Sequence, residues 1–404
     1  QKRNMSHILD AAMETLKTTV AIIGAGPSGL LLSQLLHQAG IESLVVERTS
    51  RARVLERIRA GVLERGTVEG MEEAGCAERL HAECIPHDGV ILSFDGDQFE
   101  IPVREITGHH VIVYGQTEIT KDLIEACEAR GQAIYWECPD AVLADLETAV
   151  PKVQFTTPGG ETHRIEAEIV AGCDGFHGVC RQSIPEARRR AFERTYPFGW
   201  LGVLVDEPPV AHNVIYANHE DGFALASMRS ETRSRYYVQS APGETVEDWS
   251  PDRFWEAFTH RLGALGQQVR TGEPIEMSIA PLRSFVSEPM RFGRLFLAGD
   301  SAHIVPPTGA KGLNLAFADV RRLSRAIIAW KDGGQDAALE AYSVEALARV
   351  WKIERFSWYL TSMMHQFPEH SGFEKRMQRA EFDYIRSSEA GQKTIAENYV
   401  GLPF

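Results

Sequence analysis

Thr18-Thr19-Val20-Ala21-Ile22-Ile23-Gly24-Ala25-Gly26-Pro27-Ser28-Gly29 is a β-branched run that breaks into a glycine-spaced turn. Residues 18–23 suit a buried strand, residues 27–39 carry helical apolar spacing stopped by Gly40, and residues 41–47 are apolar again. This is a β-α-β unit. Gly24 makes the tight turn, Gly26 lets the backbone approach a pyrophosphate, and Gly29 lets helix pack on strand, with Ser28 at the helix start. The helix N-terminus faces the phosphates because its first amides lack partners within the helix. Glu47, eighteen residues past Gly29, stands where an acid accepts hydrogen bonds from an adenosine ribose. The stretch predicts an α/β, Rossmann-like dinucleotide-binding domain.

Farther along, residues 117–129 read as a helix and residues 133–136, 153–156 and 164–171 as strands. Short strands at 201–205, 213–218, 222–228 and 235–239, separated by Pro, Gly, Asp and Ser turns, predict a mostly antiparallel sheet. Residues 294–298 form one more buried strand, 312–330 a long helix, and the rest to about 398 is predominantly helical. Two further turns follow strands and carry one carboxylate each, Ala171-Gly172-Cys173-Asp174-Gly175 and Leu297-Ala298-Gly299-Asp300-Ser301. A single Gly-Asp after a strand reads equally well as a helix cap. Three such turns predict an extended dinucleotide held at both ends, with Asp300 on a polyol chain and the amides near Gly312 aimed at a ring carbonyl.

The chain has 404 residues, 42 Lys+Arg against 56 Asp+Glu, a net charge of −14, and 44% hydrophobic residues. Disorder, collagen and coiled coil are excluded as the main state, and the acidic balance disfavours a general nucleic-acid binder. Small anions are met instead by local clusters: Arg48, Arg51, Arg53, Arg57 and Arg59 against the one acid Glu56, and Arg229, Arg233 and Arg235. Six cysteines without CxxC or Cys/His ligand spacing read as reduced thiols of a cytoplasmic protein with no structural metal. No stretch is apolar enough to span a bilayer. Residues 1–16 are read as an N-terminal extension outside the fold.

Taken together, the Gly24-to-Gly29 fingerprint, the Asp174-Gly175 turn and the Gly299-Asp300 turn resemble those of the single-component class A flavoprotein aromatic hydroxylases, from residue 17 to the end. Four segments are similar to members that hydroxylate 4-hydroxybenzoate to 3,4-dihydroxybenzoate. They are Arg57-Ile58-Arg59-Ala60-Gly61, Tyr196-Pro197-Phe198-Gly199-Trp200, Val305-Pro306-Pro307-Thr308-Gly309-Ala310-Lys311-Gly312-Leu313-Asn314 and Glu397-Asn398-Tyr399-Val400-Gly401-Leu402-Pro403. The resemblance implies a glutathione-reductase-type FAD-binding domain (17–88, 112–187 and 283–330), an antiparallel substrate sheet (89–111 and 188–282) and a C-terminal helical interface segment (331–404). It implies FAD, NADPH or NADH and dioxygen as co-substrates, a flavin hydroperoxide as oxygen donor, and a homodimer. A hydroxylase of another aromatic acid stays open, as does a flavin-dependent reductase or amine oxidase.

The resemblance further implies FAD contacts at Gly24, Gly26, Ser28, Gly29, Glu47, Arg57, Arg59, Gln116, Asp174, Asp300, Gly312, Leu313 and Asn314. Ser227, Arg229 and Tyr237 match the clamp on the substrate carboxylate. Tyr216, Tyr399 and His87 match the chain that carries the substrate's hydroxyl proton to solvent, Pro307 a backbone contact at the substrate, and Arg235 a cation beside the flavin. Arg48, Arg53, His177 and Arg283 match positions that meet the nicotinamide nucleotide. Departures are Ser301, where the family expects Ala, and Thr49 with Arg53; the arginines near residue 50 favour the 2'-phosphate of NADPH.

The residue chemistry supports this pattern. Ser227 and Arg229, two apart, share a strand face, as do Arg235 and Tyr237, and a guanidinium flanked by hydroxyls suits a carboxylate. Electrophilic attack on a ring carbon is faster on a phenolate, so the site must deprotonate its substrate. Taken singly, the same residues read as a solvated arginine hairpin, a half-buried Tyr216, a surface His87 and a packing Tyr399.

Overall fold

A computed structural model describes residues 13–56, 61–334 and 336–401. Strand Glu14–Ile23 lies between Ser43–Val46 and Thr162–Gly172, parallel to both, and the sheet continues to Ile134–Tyr135 on one side and Leu295–Leu297 and Arg291–Phe292 on the other. Val20, Ala21 and Ile22 have no exposed surface, as expected of a parallel strand covered on both faces. Helix Pro27–Gln38 packs with Gln116–Ala129 and with Gly312–Gly333. The strand begins at Glu14, so residues 14–16, expected outside the fold, pair with His163, Arg164 and Ile165.

The second sheet has eight strands in the order His303–Ile304, Glu276–Glu288, Arg190–Val205, Arg233–Ser240, Ala224–Ser230, Val214–Asn218, Val90–Phe94 and Asp97–Ile101. All neighbours are antiparallel except Val214–Asn218 with Val90–Phe94. The strand expected at 201–205 is the end of a 16-residue strand. Pro197 and Gly199 look like breaks, but a register shift between Thr195 and Gly199 absorbs them. Strand Glu276–Glu288 runs straight through the expected domain boundary at 282/283.

The two faces of this sheet have different covers. Leu201, Val203, Ile215, Ala224, Tyr236 and Val238 pack under Phe254, Trp255 and Phe258 of helix Pro251–Arg261. That helix was not expected, although Ser250 caps Arg253 N and Pro251 opens its first turn. The opposite face, carrying Trp200, Tyr216, Phe223 and Leu225, meets Phe356, Leu360 and Met364 of helix Ala337–Met364 and Tyr399 at the end of Glu389–Tyr399. A small sheet of Val62–Leu63, Val111–Val113 and Ile85–His87 lies apart. No helix among the described residues is long and apolar enough to cross a membrane.

Candidate active site

Backbone geometry makes the first half of the site. Gly24 has φ +106°, and a Cβ there would lie 2.3 Å from Cys173 O; a Cβ on Gly29 would lie 2.0 Å from Gly24 O. Only glycine lets the strand end, the next turn and the helix start share this space. At Gly26 an added Cβ meets nothing within 4 Å, so the second glycine borders an open hollow. Beside it helix Pro27–Gln38 starts with no side-chain cap and no acid in its first turn, which leaves its amides to an anion.

Glu47 is buried and fixed. Its Oε2 accepts from Ala25 N at 2.8 Å, and its Oε1 from Thr49 N at 2.9 Å and Thr49 Oγ1 at 2.7 Å. Both lone pairs of Oε1 are engaged, while Oε2 keeps one for a ribose hydroxyl. Thr49 is thus a brace for the acid. Asp174 Oδ2 accepts from Cys180 N at 2.8 Å, its Oδ1 is buried without a partner, and burial raises its pKa. Ser301 faces inward and donates to Gly172 O (2.6 Å) or Ala298 O (2.9 Å), tying two turns together. Asp300, half-exposed, precedes Ser301 in the Gly299–Ser301 turn.

Helix Gly312–Gly333 likewise starts without a side-chain cap or a first-turn acid, so the amides of Gly312, Leu313 and Asn314 lack a side-chain acceptor. The Asn314 side chain itself is not available to a flavin ring. Its Oδ1 accepts from Glu64 N (2.9 Å) and Thr67 Oγ1 (2.6 Å), and its Nδ2 donates to Val62 O and Ala310 O (both 2.9 Å). Its full hydrogen-bonding capacity clasps the chain near residue 62 to the helix start. Gln116 is the first residue of helix Gln116–Ala129, while Arg57 and Arg59 lie outside the described residues. Two uncapped helix ends, a hollow at Gly26 and an orphaned oxygen on Asp174 fit an extended dinucleotide.

Side chains make the second half. In the antiparallel ladders Tyr216 pairs with Leu225, Leu225 with Tyr237, and Tyr237 with Gly202; one step along, Ser227 pairs with Arg235. Cross-strand partners share a face, so Tyr216, Ser227, Arg235 and Tyr237 project from one side; Arg229 sits at a register shift between Met228 and Ser230 and interacts with Tyr237 and Arg235. A Cβ on Gly202 would lie 2.7 Å from the Tyr237 ring and 2.9 Å from Arg235 Nη2, so glycine makes the floor beneath them.

Arg235 is buried, lies 3.3 Å from Glu276 Oε1 and donates to Ser278 Oγ at 3.2 Å, unlike the exposed Arg233 on Asp206. Arg229 is deeply set with part of its surface reachable. Its Nε is buried without a partner, and burial lowers its pKa against the opposing pull of Tyr237 and Glu276. Ser227 departs from the expected clamp geometry: its hydroxyl donates to Arg235 O at 2.9 Å and must rotate to donate to a ligand.

Tyr216 and Tyr399 are both buried with their hydroxyls in mutual range, short of a well-formed bond to Tyr399 Oη. Burial first, and then Tyr399, pushes the Tyr216 phenol well up; burial also raises Tyr399. His87 is not on the surface. It is 1% exposed, neither ring nitrogen has a partner, His212 lies 4.9 Å away ring to ring, and burial pushes its pKa down to about 4. It ends three residues before Val90, whose partner Val214 is two residues from Tyr216. Pro307 is exposed at the start of the Pro307–Gly309 turn.

His177 and Arg283 come together on Phe176: the imidazole is edge-on at 5.1 Å, and the Arg283 guanidinium carbon sits 4.3 Å from the ring centre. Arg48 is exposed, and Arg53 is exposed and paired with Glu56 at 3.2 Å. Unforeseen was the buried Lys311, whose Nζ lies 2.5 Å from Glu64 Oε1 and donates to Tyr399 O at 2.9 Å, with Arg349 on the other Glu64 oxygen at 3.1 Å. This network fixes the backbone of Tyr399. A lysine inside the glycine-rich 305–314 segment was the only signal for it.

A profile of the FAD binding domain family matches residues 17–357. The chain is 52% identical over 394 residues, 97% of each chain, to p-hydroxybenzoate hydroxylase of Acinetobacter baylyi. It is 25% identical over 337 residues, 81% of this chain and 57% of the other, to a 3-(3-hydroxy-phenyl)propionate/3-hydroxycinnamic acid hydroxylase of a Mycobacterium species. The fold superposes on p-nitrophenol 4-monooxygenase of Pseudomonas putida with a TM-score of 0.78 at 19% identity, covering 97% of this chain and 100% of the other. With the glycine cradle and the polar sheet face side by side in one fold, this chain belongs to the FAD-dependent aromatic hydroxylases, the family of p-hydroxybenzoate hydroxylase.

Proposed function

We propose that the protein hydroxylates 4-hydroxybenzoate to 3,4-dihydroxybenzoate, with NADPH and dioxygen as co-substrates. The observation that carries this reading is the single sheet face with a guanidinium at one end and a buried phenol at the other. Arg229 stands four residues along its strand from Leu225, the partner of Tyr216, about 14 Å of backbone at ~3.4 Å per residue. Side chains of Arg and Tyr leaning inward across that span suit a ring with its carboxylate and hydroxyl in para positions. Bound FAD, held by the Gly24–Gly29 cradle and the Gly312 helix end, supplies the redox chemistry. Arg229 and Tyr237 bind the carboxylate, with Ser227 joining after it rotates, and Tyr216 and Tyr399 relay the phenolic proton, each releasing its own hydroxyl proton as it accepts one. His87, neutral at pH 7, is a base for its onward transfer. His177 and Arg283 face the nicotinamide nucleotide.

The enzyme acts as a homodimer in a reducing cytoplasm. Val344, Trp351 and Trp358, spaced by seven on helix Ala337–Met364, are exposed, as are Phe373 and Met377 on the next helix; such an apolar stripe suits a second copy. All six cysteines are unpaired. A panel of substituted benzoates, scored for stimulated NADPH oxidation and identified product, tests the substrate: 4-hydroxybenzoate should give the largest stimulation with product matching nucleotide consumed. Greater coupled turnover on an aminobenzoate or another hydroxybenzoate would replace it. Light scattering in solution tests the dimer.

A further inference from the structure

The turn joining strands Val214–Asn218 and Ala224–Ser230 carries His219 and Asp221, and the last turn of helix Pro251–Arg261 brings His260 against it. His260 Nε2 lies 3.0 Å from Asp221 Oδ2, and His219 Nδ1 lies 3.6 Å from the same oxygen. The two imidazoles meet edge to face with centroids 4.6 Å apart. All three ligand atoms lie within 4.8 Å of one another, the only such group among the described residues. None belongs to the cofactor cradle or to the polar sheet face.

Two nitrogens and one carboxylate oxygen converging this closely form a donor set for an imidazole-preferring divalent ion. Tetrahedral donors at ~2.0–2.1 Å from zinc stand roughly 3.3 Å apart, and the two distances to Asp221 bracket that value. A second observation concerns proton placement. Asp221 N donates to His219 Nδ1 at 3.1 Å, which marks Nδ1 as the nitrogen bearing a lone pair. The amide occupies that lone pair, and the same nitrogen lies 3.6 Å from the Asp221 carboxylate oxygen, so an ion bound there displaces the amide.

We propose that His219, Asp221 and His260 bind one divalent transition-metal ion, Cu²⁺ more tightly than Zn²⁺, with water in the remaining positions. The ion takes the place of the His260 Nε2 proton and of the Asp221 amide at His219. It staples the turn to the helix, and so holds the end shared by the strand of Tyr216 and the strand of Ser227 and Arg229.

The test uses the full-length, FAD-loaded protein after chelator treatment. Zn²⁺ is titrated with thermal unfolding as readout, and one equivalent of Cu²⁺ is added for electron paramagnetic resonance, in wild type, His260→Ala and Asp221→Asn. Expected are a rise of a few degrees in Tm with Zn²⁺ and a Cu²⁺ spectrum with two nitrogen ligands. Both should be lost in His260→Ala, with at least tenfold weaker Zn²⁺ binding, while FAD content and substrate-stimulated NADPH oxidation stay at the wild-type level. The other histidines and six thiols also attract these ions, so the difference between proteins decides. Equal affinity and an unchanged Cu²⁺ spectrum in wild type and His260→Ala would overturn the site.

Discussion

Around the Gly24–Gly29 turn the groups that border the open hollow are mostly backbone, whereas on the sheet of Val214–Asn218, Ala224–Ser230 and Arg233–Ser240 the polar groups are side chains. Backbone recognition is made by closeness: Cβ atoms at Gly24 and Gly29 would strike Cys173 and Gly24 itself. On the sheet the polar groups depend on orientation: Tyr216 and Tyr237 project from its face, and the backbone pairing there does not itself demand a tyrosine. At Gly24 and Gly29 the residue cannot be altered without moving the chain. The sheet face can be retuned residue by residue, so neighbouring families can keep the cradle and change the substrate.

Gly29→Ala should break the cradle most severely. A methyl 2.0 Å from a backbone oxygen forces helix from strand, at a cost of about 4 kcal/mol or more, read as loss of soluble, flavin-coloured protein. Gly26→Ala separates fold from ligand, since its methyl enters open space: the apoprotein Tm should stay within a few degrees while FAD is lost on desalting. If Gly26→Ala retains its FAD, the hollow is not where the pyrophosphate lies.

On the side-chain half, Tyr216→Phe should leave the sheet intact and flavin reduction near normal, yet lower product formation by ~10²–10⁴-fold, the range for a lost acid-base group. Hydrogen peroxide should account for the NADPH consumed. Arg229→Ala should weaken aromatic-acid binding about 100-fold, because the carboxylate is left buried and unpaired. An unchanged dissociation constant would remove Arg229 from the clamp. FAD content should be normal in both variants, which sets them apart from the glycine pair.

The same contrast governs what could be read in the chain. The cradle was legible, since glycine spacing, strand, helix and acid are local and each residue type is demanded by geometry. Pairing of Ser227 with Arg235 agreed with the period-two spacing, but that the Ser227 hydroxyl turns to Arg235 O was not visible in spacing. His87 read as a surface residue because its strand has only three residues. The Lys311–Glu64 pair joins positions 247 residues apart, beyond any periodicity. Helix Pro251–Arg261 has its signal in Ser250-Pro251, a pair that also suits the turns of the strand-rich stretch around it.

An effect confined to stability and its pH dependence lies at the seam between the two halves. Glu354, on helix Ala337–Met364, is 4% exposed. Burial pushes its pKa up to about 7, against Ser284 of strand Glu276–Glu288 and His303 beneath the Gly299 turn. His303 is itself held on Asp319 at 2.5 Å; burial depresses its pKa, and the attraction of Asp319 more than reverses that. Because the folded protein holds the Glu354 proton more tightly than the unfolded chain, its contribution to stability is complete below about pH 4.5 and is lost as pH rises through 7. At pH 8 the cost approaches about 3 kcal/mol at ~1.36 kcal/mol per unit. Glu354→Gln cannot ionise, so its Tm relative to wild type should rise by a few degrees between pH 5 and pH 8. The comparison cancels His87 and His365, which burial depresses in both proteins. A Tm difference that does not change with pH would mean that the folded protein does not hold the Glu354 proton more tightly than the unfolded chain between pH 5 and pH 8.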